Sequence, residues 1–286
     1  MTTATPFGVR LREAMQTQGP LCAGLDPHRA LVESWGLDYS LDGLERFAMT
    51  CVEAFAGHVA VVKPQSAFFE VFGSAGIMVL ERAIRGLREA GTLVLLDAKR
   101  GDIGSTMQAY ADAYLGPDSP IAADAVTVSP FLGYGSLRPA LDLAREAGRG
   151  VFVLALTSNP EGPSVQHALT GDRSVAATIV DGATADNAVA VSRGELGHVG
   201  LVIGATVGSA VSNLGLDLVA AGAPVLAPGF GAQGGSLESV RAVFGDALPQ
   251  VLASSSREVL SAGPDITSLR AAAVETAHRL QDAYAG

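Results

Sequence analysis

LLDAKRGDIGST, residues 95–106, joins an apolar run to a cluster of charge. The run Leu93–Leu96 reads as a buried strand. Asp97, Lys99 and Asp102 cannot follow it into a core, because burying an ion without a partner costs several kcal/mol. Asp97, Ala98 and Lys99 are therefore expected where the strand opens into a loop. Asp97 and Lys99 stand two apart, so they project to the same side of an extended chain. Flanked by Asp97 and Asp102, the Lys99 ammonium would be held in one orientation, which suits it to proton transfer.

The use of lysine sharpens this reading. Of 19 basic residues only Lys63 and Lys99 are lysines. Both end apolar runs, Val59–Val62 and Leu93–Leu96. A lysine can release a proton, whereas an arginine in a protein does not. The plainer reading is two structural ion pairs at strand ends.

Working outward, apolar runs alternate with amphipathic segments along the whole chain. Phe7, Leu11 and Met15 mark a short N-terminal helix. Strands are expected at Leu21–Leu25, Val59–Lys63, Leu93–Lys99, Ala125–Ser129, Val151–Leu156, Val199–Ile203, Pro224–Ala227 and Gln250–Ala253. Helices are expected over Ser40–Ala56, around Ile77–Leu87, and over Thr106–Leu115, Leu137–Ala147, Ser174–Glu195, Ser209–Ala221 and Leu237–Phe244. The last helix starts at Asp265, with Ile266, Leu269, Ala273, Ala277 and Leu280 on one face. A long polar loop, Thr157–Asp172, interrupts the alternation. Strands that read as continuous apolar runs fit a parallel sheet covered on both faces. Eight such units imply a (β/α)8 TIM barrel with a short N-terminal helix, one domain over residues 1–286. A doubly wound open sheet is the competitor, but no GxGxxG follows the first strand.

Composition narrows the function. A net charge of −10 and the lack of a basic run argue against nucleic-acid binding. An anionic ligand would have to be met by local positive groups. Cys22 and Cys51 lack metal or disulfide spacing and read as small core residues in a reducing compartment, the cytoplasm. No signal peptide and no membrane span are expected.

In a barrel the active site lies at the C-terminal strand ends. The polar residues there are Asp26, Lys63, Asp97 with Lys99, Ser129, Thr157 with Asn159, Thr206, Gln233 and Arg257. Taken singly, Asp26, Ser129 and Thr206 could be turn or cap residues. Pro228–Gly235, PGFGAQGG, follows the seventh strand, and its glycines allow backbone N–H groups close to an anion. Arg257 follows the eighth strand and can grip phosphate through two N–H groups. Barrels often hold phosphate there.

Together, CAGLDP at 22–27, VVKPQSAFFE at 61–70, LDAKRGDIGST at 96–106, TVSPFLG at 127–133, LTSNP at 156–160, PGFGAQGG at 228–235 and SSSR at 254–257 resemble the orotidine 5'-phosphate decarboxylases, in their longer bacterial and mycobacterial-like branch. The resemblance implies a dimeric barrel without metal or organic cofactor that converts orotidine 5'-monophosphate to UMP and CO2. It casts Lys99 as the proton donor to C6 of the pyrimidine and Asp97 as the carboxylate facing the substrate carboxylate. Asp102, with Ile103 and Thr106 beside it, would enter the partner's site. Lys63 would link the charges to the ribose, and Asp26 would bind a ribose hydroxyl. Ser129 would contact the pyrimidine amide and Gln233 would bridge base and phosphate. Arg257, with Gly231 and Gly234 of the loop, would hold the phosphate. Arg100-Gly101 departs from the aromatic and histidine common in the shorter form. Thr157 and Asn159 could shape the base pocket or only the loop.

Three rivals stand beside this. A metal-dependent sugar-phosphate decarboxylase or synthase would want an acid where Lys63 stands. A catalytically dead nucleotide-binding barrel would be expected to lose Lys99 or an aspartate. A Schiff-base aldolase would want its lysine neutral and desolvated, not beside Asp97.

Overall fold

The computed structural model describes residues 4–230 and 235–285. Among these residues eight parallel strands close into a barrel. They are β1 Leu21–Leu25, β2 Val61–Pro64, β3 Leu93–Arg100, β4 Ala125–Val128, β5 Gly150–Leu156, β6 Val199–Ile203, β7 Val225–Pro228 and β8 Val251–Ser255. Each pairs with its neighbours in sequence, and β8 closes on β1 with Leu21 opposite Ala253. The fold is the expected (β/α)8 barrel.

Two packed layers hold it. Outside, helices such as Leu41–Phe55 and Gly73–Glu89 lay apolar stripes on the strands, burying Leu44, Phe47, Cys51, Leu80, Ile84 and Leu87. Inside, Cys22, Val61, Leu95, Ala125, Phe152, Val202, Leu226 and Leu252 fill the lower barrel. The helix Phe7–Gln18 plugs that lower end with Phe7, Leu11 and Met15. Phe7 meets Phe152 edge-on, with centroids 6.0 Å apart. Gly150 permits this approach, since a Cβ there would lie 2.5 Å from the Phe7 ring.

The helices depart from expectation where glycine intervenes. The segment 209–221 forms two short helices, Ala210–Asn213 and Leu218–Ala221. Gly215 takes φ +62° between them, and the Asp217 side chain caps the second. The helix after the polar loop ends at Val191, ahead of Gly194 at φ +70°. The polar loop itself carries a short helix, Pro163–Gln166, and a hairpin pairing Leu169–Thr170 with Arg173–Ser174. Two short helices at the barrel mouth, Arg29–Ser34 and Ser66–Glu70, follow β1 and β2 and were not expected.

Candidate active site

The site follows from the two-residue period of a strand. Inward-facing positions are apolar at the bottom of the barrel and polar at its C-terminal end. Cys22 gives way to Gly24 and then Asp26. Val61 gives way to Lys63 and Gln65, Leu95 to Asp97, Ala125 to Thr127, and Leu252 to Ser254. These upper positions line a cavity of about 520 Å³. Arg257, His28, Thr157 and Ser158 complete its polar wall, while Phe68, Leu154, Val202, Leu226 and Phe230 make an apolar one.

Opposite charges alternate across the floor. Lys63 Nζ lies 3.9 Å from Asp26 Oδ1 and donates to Asp97 Oδ2 at 3.1 Å. Lys99 Nζ donates to Asp97 Oδ1 at 2.6 Å. Burial alone would raise the Asp97 carboxyl, but the charges of Lys63 and Lys99 prevail and lower it from 3.8 to about 2. Burial would likewise lower Lys63, yet Asp26 and Asp97 outweigh it and hold the ammonium above its ordinary range. Burial pushes the Cys22 thiol up to about 12, so this cysteine beneath the site is an inert packing residue. Among the described residues no group of three or more His, Cys, Asp or Glu side chains is disposed to hold a metal ion.

The expected loop opening at Asp97–Lys99 is instead the distorted end of β3. The strand runs on to Arg100, its register with β4 shifts after Leu96, and Lys99 takes φ +48°.

Of the residues expected in the site, Asp26, Lys63, Asp97, Lys99, Thr157 and Arg257 converge on the cavity. Ser129 is not among the lining residues. Its backbone N–H donates to Arg100 O at 2.7 Å, continuing the strand pairing beyond the cavity. Asp102 does not flank Lys99 within its own chain: Lys99 pairs with Asp97, and the Asp102 carboxylate accepts from the Ile103 N–H at 2.8 Å. Ile103 and Thr106 are exposed. Asn159 and Thr206 also lie outside the lining, with Asn159 bonded to Thr157 and Glu161 in the polar loop. Gly231, Gln233 and Gly234 fall outside the described residues. Their flanks are joined where the Gly235 N–H donates to Gly229 O at 3.0 Å.

Six polar lining residues escaped the sequence reading: Thr127, Ser158, His28, Gln65, Ser254 and Ser256. Thr127 sits in the apolar run of β4, and only its two-residue step from Ala125 marks it as inward-facing. Ser158 lies between the two loop residues that were singled out. His28 caps the short helix Arg29–Ser34, its Nδ1 accepting from the Leu31 N–H. Gln65 continues β2 and bridges Asp97.

With this geometry in view, residues 19–272 match the family described as "Orotidine 5'-phosphate decarboxylase / HUMPS family". The chain belongs to this family. It is 60% identical over 268 residues to an orotidine 5'-phosphate decarboxylase of Salinispora arenicola, covering 93% of this chain and 94% of that one. It is 57% identical to that of Streptomyces coelicolor over 270 residues, covering 94% of each. Among solved structures, a candidate orotidine 5'-phosphate decarboxylase from Streptomyces avermitilis superposes with a TM-score of 0.95 at 54% identity. That match covers 100% of this chain and 98% of the other. The Leishmania donovani OMP decarboxylase superposes with a TM-score of 0.75 at 31% identity, covering 99% of this chain and 100% of that one.

Proposed function

We infer that this chain is an orotidine 5'-phosphate decarboxylase, a carboxy-lyase that converts orotidine 5'-monophosphate to UMP and CO2 in pyrimidine synthesis. The observation that carries the reading is the alternating row Asp26, Lys63, Asp97, Lys99 at the mouth of a family barrel. Loss of CO2 leaves an electron pair at C6 that the ring delocalises poorly. Lys99 would stabilise that carbanion and then protonate it. Asp97 would face the departing carboxylate. Two like charges about 4 Å apart at an effective dielectric of about 20 repel by about 4 kcal/mol, too little for the rate enhancements enzymes reach. Stabilisation by Lys99 and binding energy from the remote phosphate would supply more.

Binding would divide along the cavity. Asp26 Oδ1 and Ser256 Oγ are buried without a hydrogen-bond partner among the described residues, which suits them to ribose hydroxyls. Arg257, with Gly231, Gln233 and Gly234, would take the phosphate. Ser158 and Thr157 replace Ser129 as our choice for the polar edge of the base, because they line the cavity and Ser129 does not. No metal or organic cofactor enters this scheme. Lys63 fills the space between Asp26 and Asp97 that a cation would need.

We place the active form as a cytoplasmic homodimer of single-domain barrels. Ile103, Phe131 and Leu132 are 62, 80 and 54% exposed. This large apolar exposure favours a second copy as cover. Asp102 and Thr106, on the same exposed segment as Ile103, would then enter the partner's site. No helix among the described residues is long and apolar enough to cross a membrane.

The test is the absorbance loss on adding orotidine 5'-monophosphate with excess EDTA, beside Lys99→Ala. Wild type should turn over, and the variant should fall by about 10³-fold or more. A folded wild type without turnover would overturn the assignment.

A further inference from the structure

We propose that Thr127 is the positioning residue that fixes both Asp97 and Lys99 for the reaction, an inference that rests on the decarboxylase reading. Along β3 and β4, Leu96 stands opposite Val126 and Arg100 opposite Val128. Asp97, Ala98 and Lys99 must therefore share one partner, Thr127. Two extra residues in one strand leave backbone groups that the regular ladder cannot satisfy. The Thr127 hydroxyl satisfies them. Its Oγ1 accepts from the Ala98 N–H and the Lys99 N–H, each at 3.0 Å.

A hydroxyl has two acceptor sites and one proton. Both acceptor sites are taken by amides that can only donate. The single proton is thereby committed to Asp97 Oδ1, at 2.8 Å. One side chain, itself 99% hidden from solvent by its 1% exposure, sets the orientation of the carboxylate and the backbone of the lysine. Lys99 has φ +48°, a conformation that residues with side chains rarely adopt. The bond from its N–H to Thr127 holds it there. Released from that bond, Lys99 would relax and carry its ammonium away from Asp97. Thr127 itself transfers no proton in this scheme, since its own is already engaged.

The test is Thr127→Val, which keeps the shape and removes the hydroxyl. With orotidine 5'-monophosphate, kcat should fall roughly 10- to 100-fold, as expected for misplaced reacting groups. KM should hold, because the ribose and phosphate contacts are untouched. Thr127→Ser, which restores the hydroxyl, should recover kcat. Two readouts do not depend on turnover. Amide exchange at Ala98 and Lys99 should quicken in Thr127→Val. A carboxyl NMR titration should find Asp97 moved up from its wild-type position. Should Thr127→Val fail to fold, Thr127→Cys gives the same comparison, with a sulfur that bonds only weakly. Unchanged kcat, or amide exchange and titration equal to wild type, would overturn the proposal. A wild type without turnover would instead sink the decarboxylase reading, and the exchange and titration measurements would still decide whether Thr127 holds Asp97 and Lys99.

Discussion

Asp97 is the residue on which the charge row turns, and its lowered value has a consequence for stability. The unfolded carboxyl takes a proton near 3.8, the folded one only near 2. The unfolded state therefore binds more protons between these values. Stability from Asp97 is fully present above about pH 4 and is lost as pH falls toward 2, about 2 kcal/mol in all. Denaturant unfolding between pH 5 and 2 should show this slope, and Asp97→Asn should reduce it. Lys63 runs the other way. Its contribution is present below its ordinary range and is lost only as pH rises beyond it, through its raised folded value. Lys63→Met would leave half-buried Asp26 without its counter-ion and buried Asp97 with Lys99 alone. A loss of about 3–5 kcal/mol in urea unfolding at pH 7 is expected, together with loss of turnover.

At the scale of the element, strands were easier to read than the helices that join them. A buried strand is a continuous apolar run, and its inward face follows from a period of two. Helix Leu237–Phe244 has the expected bounds, whereas the segment 209–221 breaks at a left-handed glycine that apolar periodicity does not reveal. Other devices hold elements to one another and leave no sequence pattern. Asn187, fully buried on helix Val175–Val191, donates to Val199 O at 2.8 Å and Ala221 O at 3.1 Å, and accepts from the Val199 N–H. It ties this helix to β6 and to the short helix beyond. Asn187→Ala should cost about 3 kcal/mol, because buried backbone groups lose their partners. A thermal melt would show the loss, and kcat at 25 °C should stay near wild type, since Asn187 is remote from the cavity lining.

At the scale of the whole molecule, the proposed dimer makes a quantitative prediction. Lys99→Ala and Asp102→Asn should each be inactive as homodimers. If Asp102 serves the partner's site, a mixed dimer contains one doubly altered site and one intact site. Equal mixing and random reassociation should restore about a quarter of wild-type activity. No recovery, with exchange of subunits verified by sedimentation or native mass spectrometry, would confine Asp102 to its own chain. The exposed segment around Ile103 and Phe131 is where an added charge, Phe131→Glu, should weaken self-association.

By itself the sequence determined the barrel, the charged triplet and the identity of about half the polar groups at the mouth. Periodic burial is a local property, and ions at the ends of apolar runs have few places to go. The tertiary structure decided which hydroxyls face the cavity. Ser129 and Thr127 share the inward parity of one segment, yet β4 ends at Val128 and only Thr127 lines the cavity. It likewise decided that Asp102 stays clear of Lys99 within one chain, its carboxylate turned to the adjacent Ile103 N–H. Such choices depend on pairing between distant segments, which spacing along one chain does not encode.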